Sequence, residues 1–230
     1  MKTIGMIGGM SWESSIEYYR IINETVRAEL GGLHSAKSMM VSVEFAEIET
    51  LQHQDRWDEA AKILIAAARS LESGGADFTI ICTNTMHKLY DKVQNHINIP
   101  MLNIADATAE KIKAQGIGKI ALLGTRFTME EDFYKGRLVD RFGLDVIIPA
   151  EDDMEIVHRV IYDELCAGII KPDSKQDYAA IIKRLIAAGA QGIILGCTEI
   201  GLLVKPEDSS VPLFDTTEIH AKAAVRCALG

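Results

Sequence analysis

The chain has 230 residues and a formal net charge of −9, with 48% apolar and 25% charged residues. That length suits one large domain or two small ones, and the composition buries a sizeable core without disulfides or metal. The acidic balance argues against nucleic acid and anionic membrane as partners, because phosphate binding needs clustered Lys and Arg.

Residues 3–7 read as a first β-strand that Gly8-Gly9 ends. With one Lys and so short an apolar run, this start does not read as a signal peptide. Ser11 or Ser14 caps a helix running through Leu30, and residues 38–43 form a second strand. The polar stretch Gln52-His53-Gln54-Asp55-Arg56 reads as a surface loop or helix start. Residues 57–73 carry apolar side chains at helical spacing and stop at Gly74-Gly75. Residues 78–82 form a buried strand, 108–115 a helix, and 120–123 a strand ending in Gly124. Residues 127–142 read as a helix, 145–148 as a strand and 154–167 as a helix. Residues 178–188 are helical, 193–195 a strand, and 216–228 the closing helix. Such alternation argues for an α/β fold of parallel sheets with helices on both faces and right-handed connections. No stretch approaches a membrane span.

The four cysteines, Cys82, Cys166, Cys197 and Cys227, are scattered and form no CxxC pair. A zinc site and a disulfide framework are both disfavoured, and free thiols suit a reducing cytoplasm. Cys166 and Cys227 fall in helical patterns and read as packing residues.

An internal repeat organises the chain. The stretch Gly75-Ala76-Asp77-Phe78-Thr79-Ile80-Ile81-Cys82-Thr83 matches Gly189-Ala190-Gln191-Gly192-Ile193-Ile194-Leu195-Gly196-Cys197, which sets Thr83 opposite Cys197. Thr3-Ile4-Gly5-Met6-Ile7-Gly8 matches Lys119-Ile120-Ala121-Leu122-Leu123-Gly124, and Ile99-Pro100-Met101-Leu102 matches Val211-Pro212-Leu213-Phe214. We read two pseudo-symmetric α/β lobes, each a mostly parallel sheet flanked by helices. Residues 1–100 plus 212–230 form the first lobe and 101–211 the second, with the two Pro-containing segments as crossings. Ligands of open α/β sheets bind at the carboxyl ends of strands, so equivalent strand ends facing one another would make a cleft.

Two polar clusters sit at such ends. Cys82-Thr83-Asn84-Thr85-Met86-His87 offers backbone N–H groups and side-chain donors to an anion, and equally reads as a Thr or Asn helix cap. Gly196-Cys197-Thr198-Glu199 places a thiol beside a Gly and a helix start. That position depresses a thiol pKa, although a buried structural Cys is the alternative. The loops Gly8-Gly9-Met10-Ser11 and Gly124-Thr125-Arg126-Phe127-Thr128 end the paired strands; neither has the GxGxxG of a dinucleotide site.

Together, Ile4-Gly5-Met6-Ile7-Gly8-Gly9-Met10-Ser11, Thr83-Asn84-Thr85-Met86-His87, Leu123-Gly124-Thr125 and Gly196-Cys197-Thr198-Glu199 resemble the motifs of the Asp/Glu racemase family, over nearly the whole chain. The resemblance implies two pseudo-symmetric lobes with the active site in the cleft between them, and one thiol from each lobe on opposite faces of the substrate α-carbon. It also implies no pyridoxal phosphate or other cofactor, no metal, a small amino-acid substrate and a homodimer. By the same resemblance Asn84, Thr85 and Thr198 would stabilise the enediolate, Thr125 and Gln52 would line the pocket, and the loop with Gly9 and Met10 would close over the substrate.

The chain departs from the family at one place: Thr83 stands where the family has Cys immediately before Asn-Thr. Cys82 is one residue early, and one step along a strand turns a side chain to the other face. Cys197 is then the competent base, serving the L-substrate by resemblance, and Thr83 would give a proton through His87 or water. Some family members carry a basic residue where this chain has Tyr162-Asp163-Glu164-Leu165-Cys166. Without it an acidic side chain would need Arg126 or Lys88, and a neutral substrate such as homoserine is a rival. A single-thiol decarboxylase or isomerase on the same scaffold, and a non-enzymatic small-molecule sensor, are the alternatives to racemisation.

Overall fold

A computed structural model describes residues 1–230. The chain divides into two compact units, Met1–Ile104 with His220–Gly230, and Ala105–Ile219. Each contains one parallel four-stranded sheet flanked by helices.

The first sheet has the order β2-β1-β3-β4, from β1 (Ile4–Gly8), β2 (Ser38–Ser42), β3 (Phe78–Ile81) and β4 (Met101–Leu102). The second has the order β6-β5-β7-β8, from β5 (Lys119–Gly124), β6 (Asp145–Ile147), β7 (Ile193–Gly196) and β8 (Leu213–Asp215). All neighbours run parallel. The central strands β1, β3 and β7 are buried along their whole length, as continuous apolar runs between helical layers should be.

The repeat holds at the level of individual hydrogen bonds. Gly5 pairs with Thr79 as Ala121 pairs with Ile193, and Thr79 pairs with Met101 as Ile193 pairs with Leu213. The Asp77 amide donates to the Thr3 carbonyl and the Gln191 amide to the Lys119 carbonyl, both at 2.9 Å. Even the side chains match: Asp77 Oδ2 accepts from the Thr3 amide at 2.6 Å and Gln191 Oε1 from the Lys119 amide at 3.0 Å. The turns entering β3 and β7 require left-handed backbone at Gly75 (φ 96°) and Gly189 (φ 98°), which only glycine adopts cheaply.

In the first unit, α1 (Trp12–Leu30) sends Tyr18, Ile22 and Val26 into a core with Ile4, Met6, Phe78, Ile80 and Cys82. Ala221, Ala224, Val225 and Ala228 of the last helix, Thr216–Leu229, close that core. Ser11 caps α1 by accepting the Ser14 amide. In the second unit the helix Glu151–Asp163 packs on β5 and on the helix Pro172–Ala187.

Four sequence expectations need correction. The polar stretch around Gln52 is the end of a helix, Phe45–His53, whose Ile48, Leu51 and Gln52 are buried. The continuous helix over 127–142 is two, Arg126–Glu130 and Lys135–Phe142, because Glu131 takes extended backbone between them. The helix over 154–167 ends at Asp163, and Leu165–Ala167 is a separate 3₁₀ turn. Finally, each Pro-containing segment leads into a strand of the sheet it follows. β4 pairs with β3 and β8 with β7, so the chain changes unit at Ile104 and Ile219 and not at the prolines.

Candidate active site

In the first unit, β1 and β3 end level, with Ile7 opposite Ile81. The loop Gly9-Met10 and the segment beginning at Thr83 therefore leave neighbouring strand ends. Gly9 has φ 90°, and a Cβ there would lie 2.2 Å from the Val43 carbonyl oxygen. Its amide donates to Ser15 Oγ at 2.8 Å, and Met10 is buried. The loop is thus seated against the end of β2. Thr83 is partly exposed, while Asn84 and Thr85 are buried. Asn84 precedes a short 3₁₀ helix, Thr85–Leu89, without making a side-chain cap bond, so the plain-cap reading of Asn84 does not hold. Gln52 joins this group: its Nε2 donates to Met86 Sδ at 2.9 Å, in the turn that follows Asn84.

His87 has a different job from the one its position suggested. The Thr83 carbonyl lies 2.7 Å from Nδ1, and the Ile104 amide donates to Nε2 at 3.2 Å. A carbonyl only accepts and an amide only donates, so the ring is neutral with its proton on Nδ1. Both nitrogens hold backbone, and neither reaches out as a relay for the Thr83 hydroxyl. Cys82 lies in the apolar core, where burial pushes its thiol far up in pKa.

In the second unit, Gly124 pairs with Gly196 at the ends of β5 and β7, which sets Thr125 beside Cys197 in the next positions of the two chains. A Cβ at Gly196 would lie 2.7 Å from the Leu123 carbonyl oxygen, so these strand ends approach closely. Thr125 is the cap of the helix Arg126–Glu130, accepting the Thr128 amide at 3.3 Å.

Cys197 is partly exposed. Its Sγ donates to Glu199 Oε2 at 2.9 Å, and Thr198 Oγ1 donates to the same oxygen at 2.7 Å. Cys166 Sγ lies 3.9 Å from Glu199 Oε1. Of the two readings of Cys197, the lowered pKa that a helix start can give is not the one its surroundings favour. Burial, then the Glu199 charge, then Cys166, push the thiol well above its ordinary value. The following helix, Ile200–Leu203, is too short to oppose them with a substantial dipole. The Thr198 hydroxyl, expected to point its proton at the substrate, gives it to Glu199. Cys166 is no mere packing residue, since it faces the same carboxylate. Sequence reasoning carried Glu199 only as the last letter of a motif; a carboxylate two residues after a thiol at a strand end was the available signal.

The two candidate cations for an acidic side chain are engaged. Arg126 forms ion pairs with Glu151, Glu130 and Glu155, and the Lys88 ammonium lies 3.9 Å from the centre of the Trp57 ring. No group of three or more His, Cys, Asp or Glu is arranged to hold a metal ion. No helix is long and apolar enough to cross a membrane.

Comparison with known proteins adds the chemistry of relatives. A family model described as Asp/Glu/Hydantoin racemase matches residues 7–224. The broad specificity amino-acid racemase RacX of Bacillus subtilis (strain 168) is 28% identical over 175 residues, 73% of this chain and 72% of that protein. A crystal structure described as an Asp/Glu racemase of Yersinia pestis superposes with a TM-score of 0.93 at 57% identity, covering 100% of both chains. The structure of an aspartate racemase homologue from Pyrococcus horikoshii OT3 gives 0.86 at 38% identity, also over 100% of both chains.

Proposed function

Because the chain belongs to the Asp/Glu/hydantoin racemase family, we propose that it is a cofactor-independent amino-acid racemase in which Cys197 takes the α-proton of an L-amino acid and Thr83 stands as the opposing acid/base group. The observation that carries this reading is the matched register: the same strand position ends in a thiol in one unit and in a hydroxyl in the other. An alcohol does not lose its proton near neutral pH, so proton abstraction belongs to Cys197 and the reaction is lopsided toward L-substrates. Cys82 is buried in the core and does not replace Thr83.

The α-proton of an amino acid is very weakly acidic, so the developing enediolate needs fixed donors. On this reading Asn84 and Thr85 serve the carboxylate, Gly9, Met10, Gln52 and Thr125 shape the pocket, and the Thr198 hydroxyl, whose proton is held by Glu199, is left as an acceptor. Aspartate and glutamate are the first substrates of this reading, by analogy with the Yersinia pestis protein. A neutral side chain such as homoserine's is the second, favoured by the engagement of Arg126 with three glutamates and of Lys88 with Trp57. The reading also takes the enzyme as a cytoplasmic homodimer without nucleic-acid or membrane partners. What supports the dimer is an exposed apolar stripe, Trp12, Ile16 and Tyr19, at helical spacing on α1.

Deuterium incorporation at the α-carbon of L-aspartate, L-glutamate and L-homoserine in D₂O tests the reading. The wild type exchanges at least one of them, and Cys197→Ser loses about 10²-fold or more. Absence of exchange with every amino acid rejects it, and carbon dioxide release from an arylmalonate would favour a single-thiol decarboxylase.

A further inference from the structure

Glu199 is a buried carboxylate whose two oxygens face two thiols and a hydroxyl. Oε2 accepts from Cys197 Sγ at 2.9 Å and from Thr198 Oγ1 at 2.7 Å, and Oε1 lies 3.9 Å from Cys166 Sγ. The repeat makes this placement informative. In the first unit the position equivalent to Cys197 is Thr83, and the position equivalent to Glu199 is Thr85. One unit therefore carries a thiol and a carboxylate together, and the other carries hydroxyls at both places.

We infer that Glu199 is the positioning residue that receives the Cys197 proton, so that thiol and carboxylate act as one pair sharing that proton. The inference rests on the reading of Cys197 as the base. In the first step the Cys197 S–H proton moves to Glu199 Oε2, leaving a thiolate beside a neutral carboxyl. In the second, the thiolate takes the substrate α-proton, the C–H electron pair stays on the substrate, and sulfur again carries a proton. The pair holds a single negative charge through the first step.

The alternative route, loss of the thiol proton to water, places a second negative charge next to a buried first one. Burial and the Glu199 charge both oppose that outcome. Cys166 also raises the thiol pKa, and Tyr178 and Glu164 are the other titratable groups coupled to this cluster. Cys166 lies against Glu199. Tyr178, from the helix Pro172–Ala187, is held by the Val157 carbonyl at 3.1 Å. Glu164 couples to Tyr178 and is itself bound to Lys171 at 3.2 Å and to Ser174 at 2.6 Å.

The pH dependence of two rates tests this: iodoacetamide alkylation of Cys197 in a Cys166→Ser background, and α-deuterium exchange of L-substrate. For a proton-sharing pair both wild-type rates stay flat from about pH 6 to about pH 8.5, since the thiolate form arises by internal transfer. Glu199→Gln must release its proton to water, so both rates become pH-dependent, rising about tenfold per pH unit. At neutral pH the exchange of this variant is slower by about tenfold or more. Glu199→Asp restores part of the flat profile. A wild-type alkylation rate that climbs with the same slope as Glu199→Gln overturns the inference, as does a Glu199→Gln variant that stays flat. The alkylation arm needs no substrate, so it judges the pair even where absence of exchange has already rejected the racemase reading. If Glu199→Gln does not fold, the wild-type and Glu199→Asp profiles still decide.

Discussion

The ring of His87 fastens Thr83 to Ile104 through backbone alone. Nδ1 gives its proton to the Thr83 carbonyl at 2.7 Å, and Nε2 accepts the Ile104 amide at 3.2 Å. A residue that looked like a proton carrier is a clamp on the segment bearing the candidate acid/base hydroxyl. His87→Ala therefore removes the side-chain bonds to the Thr83 carbonyl and the Ile104 amide, at a cost of about 1–3 kcal/mol for a backbone group that stays buried and unpaired. Urea denaturation should show the loss, and α-exchange should fall without a change in the shape of its pH profile. A changed pH profile with unchanged stability would instead restore the relay.

Thr83→Cys places a thiol at the position equivalent to Cys197. On the proposed function it opens the reaction from the D side. Exchange of D-aspartate or D-glutamate should rise by about tenfold or more, while exchange from the L side persists. The double variant Thr83→Cys with Cys197→Ser should then react from the D side only. Optical rotation and deuterium incorporation followed from each enantiomer check both outcomes.

His220 gives the first unit a pH dependence of its own. Tyr18 Oη lies 2.9 Å from Nδ1 and the Leu102 carbonyl 3.2 Å from Nε2, so the buried ring is neutral. Burial, followed by the neighbouring His87, lowers its pKa from 6.5 to about 3. Between these values the unfolded chain binds a proton that the folded chain does not. Stability therefore falls as pH drops from about 6.5 toward about 3, with a slope near 1.4 kcal/mol per pH unit from this residue. Denaturation midpoints measured across that window should show a shallower fall in His220→Gln.

Gly9→Ala tests the seating of the first loop. The φ of 90° costs a non-glycine residue about 1–3 kcal/mol, and the added Cβ would lie 2.2 Å from the Val43 carbonyl oxygen. The backbone must shift, carrying Met10 with it. Thermal unfolding should move down, and exchange activity should fall further than in a Gly31→Ala control, where φ is also positive but nothing lies within 4 Å of the new Cβ.

Much of the architecture was legible because it is local and written twice. Apolar runs such as Phe78–Ile81 and Ile193–Gly196, each behind a Gly-Ala turn, mark central parallel strands, and their alignment yielded the register now seen between Gly5 and Thr79 and between Ala121 and Ile193. Two-residue strands such as Met101–Leu102 were not legible, since their only signature is the neighbour they pair with. The break between Arg126–Glu130 and Lys135–Phe142 was hidden by apolar spacing that continues across it.

The amino-acid order alone determined the alternating elements, their duplication, and the presence of sulfur at 197 with oxygen at 83. Tertiary structure decided the electrostatics. It brought Cys166 to Glu199 across 33 residues of sequence, turned the Glu199 carboxylate onto the Cys197 thiol, and committed both nitrogens of His87 to backbone. The physical reason is that strand and helix patterns arise from neighbours along the chain, whereas desolvation, charge coupling and hydrogen-bond direction depend on atoms that only folding brings within a few ångströms.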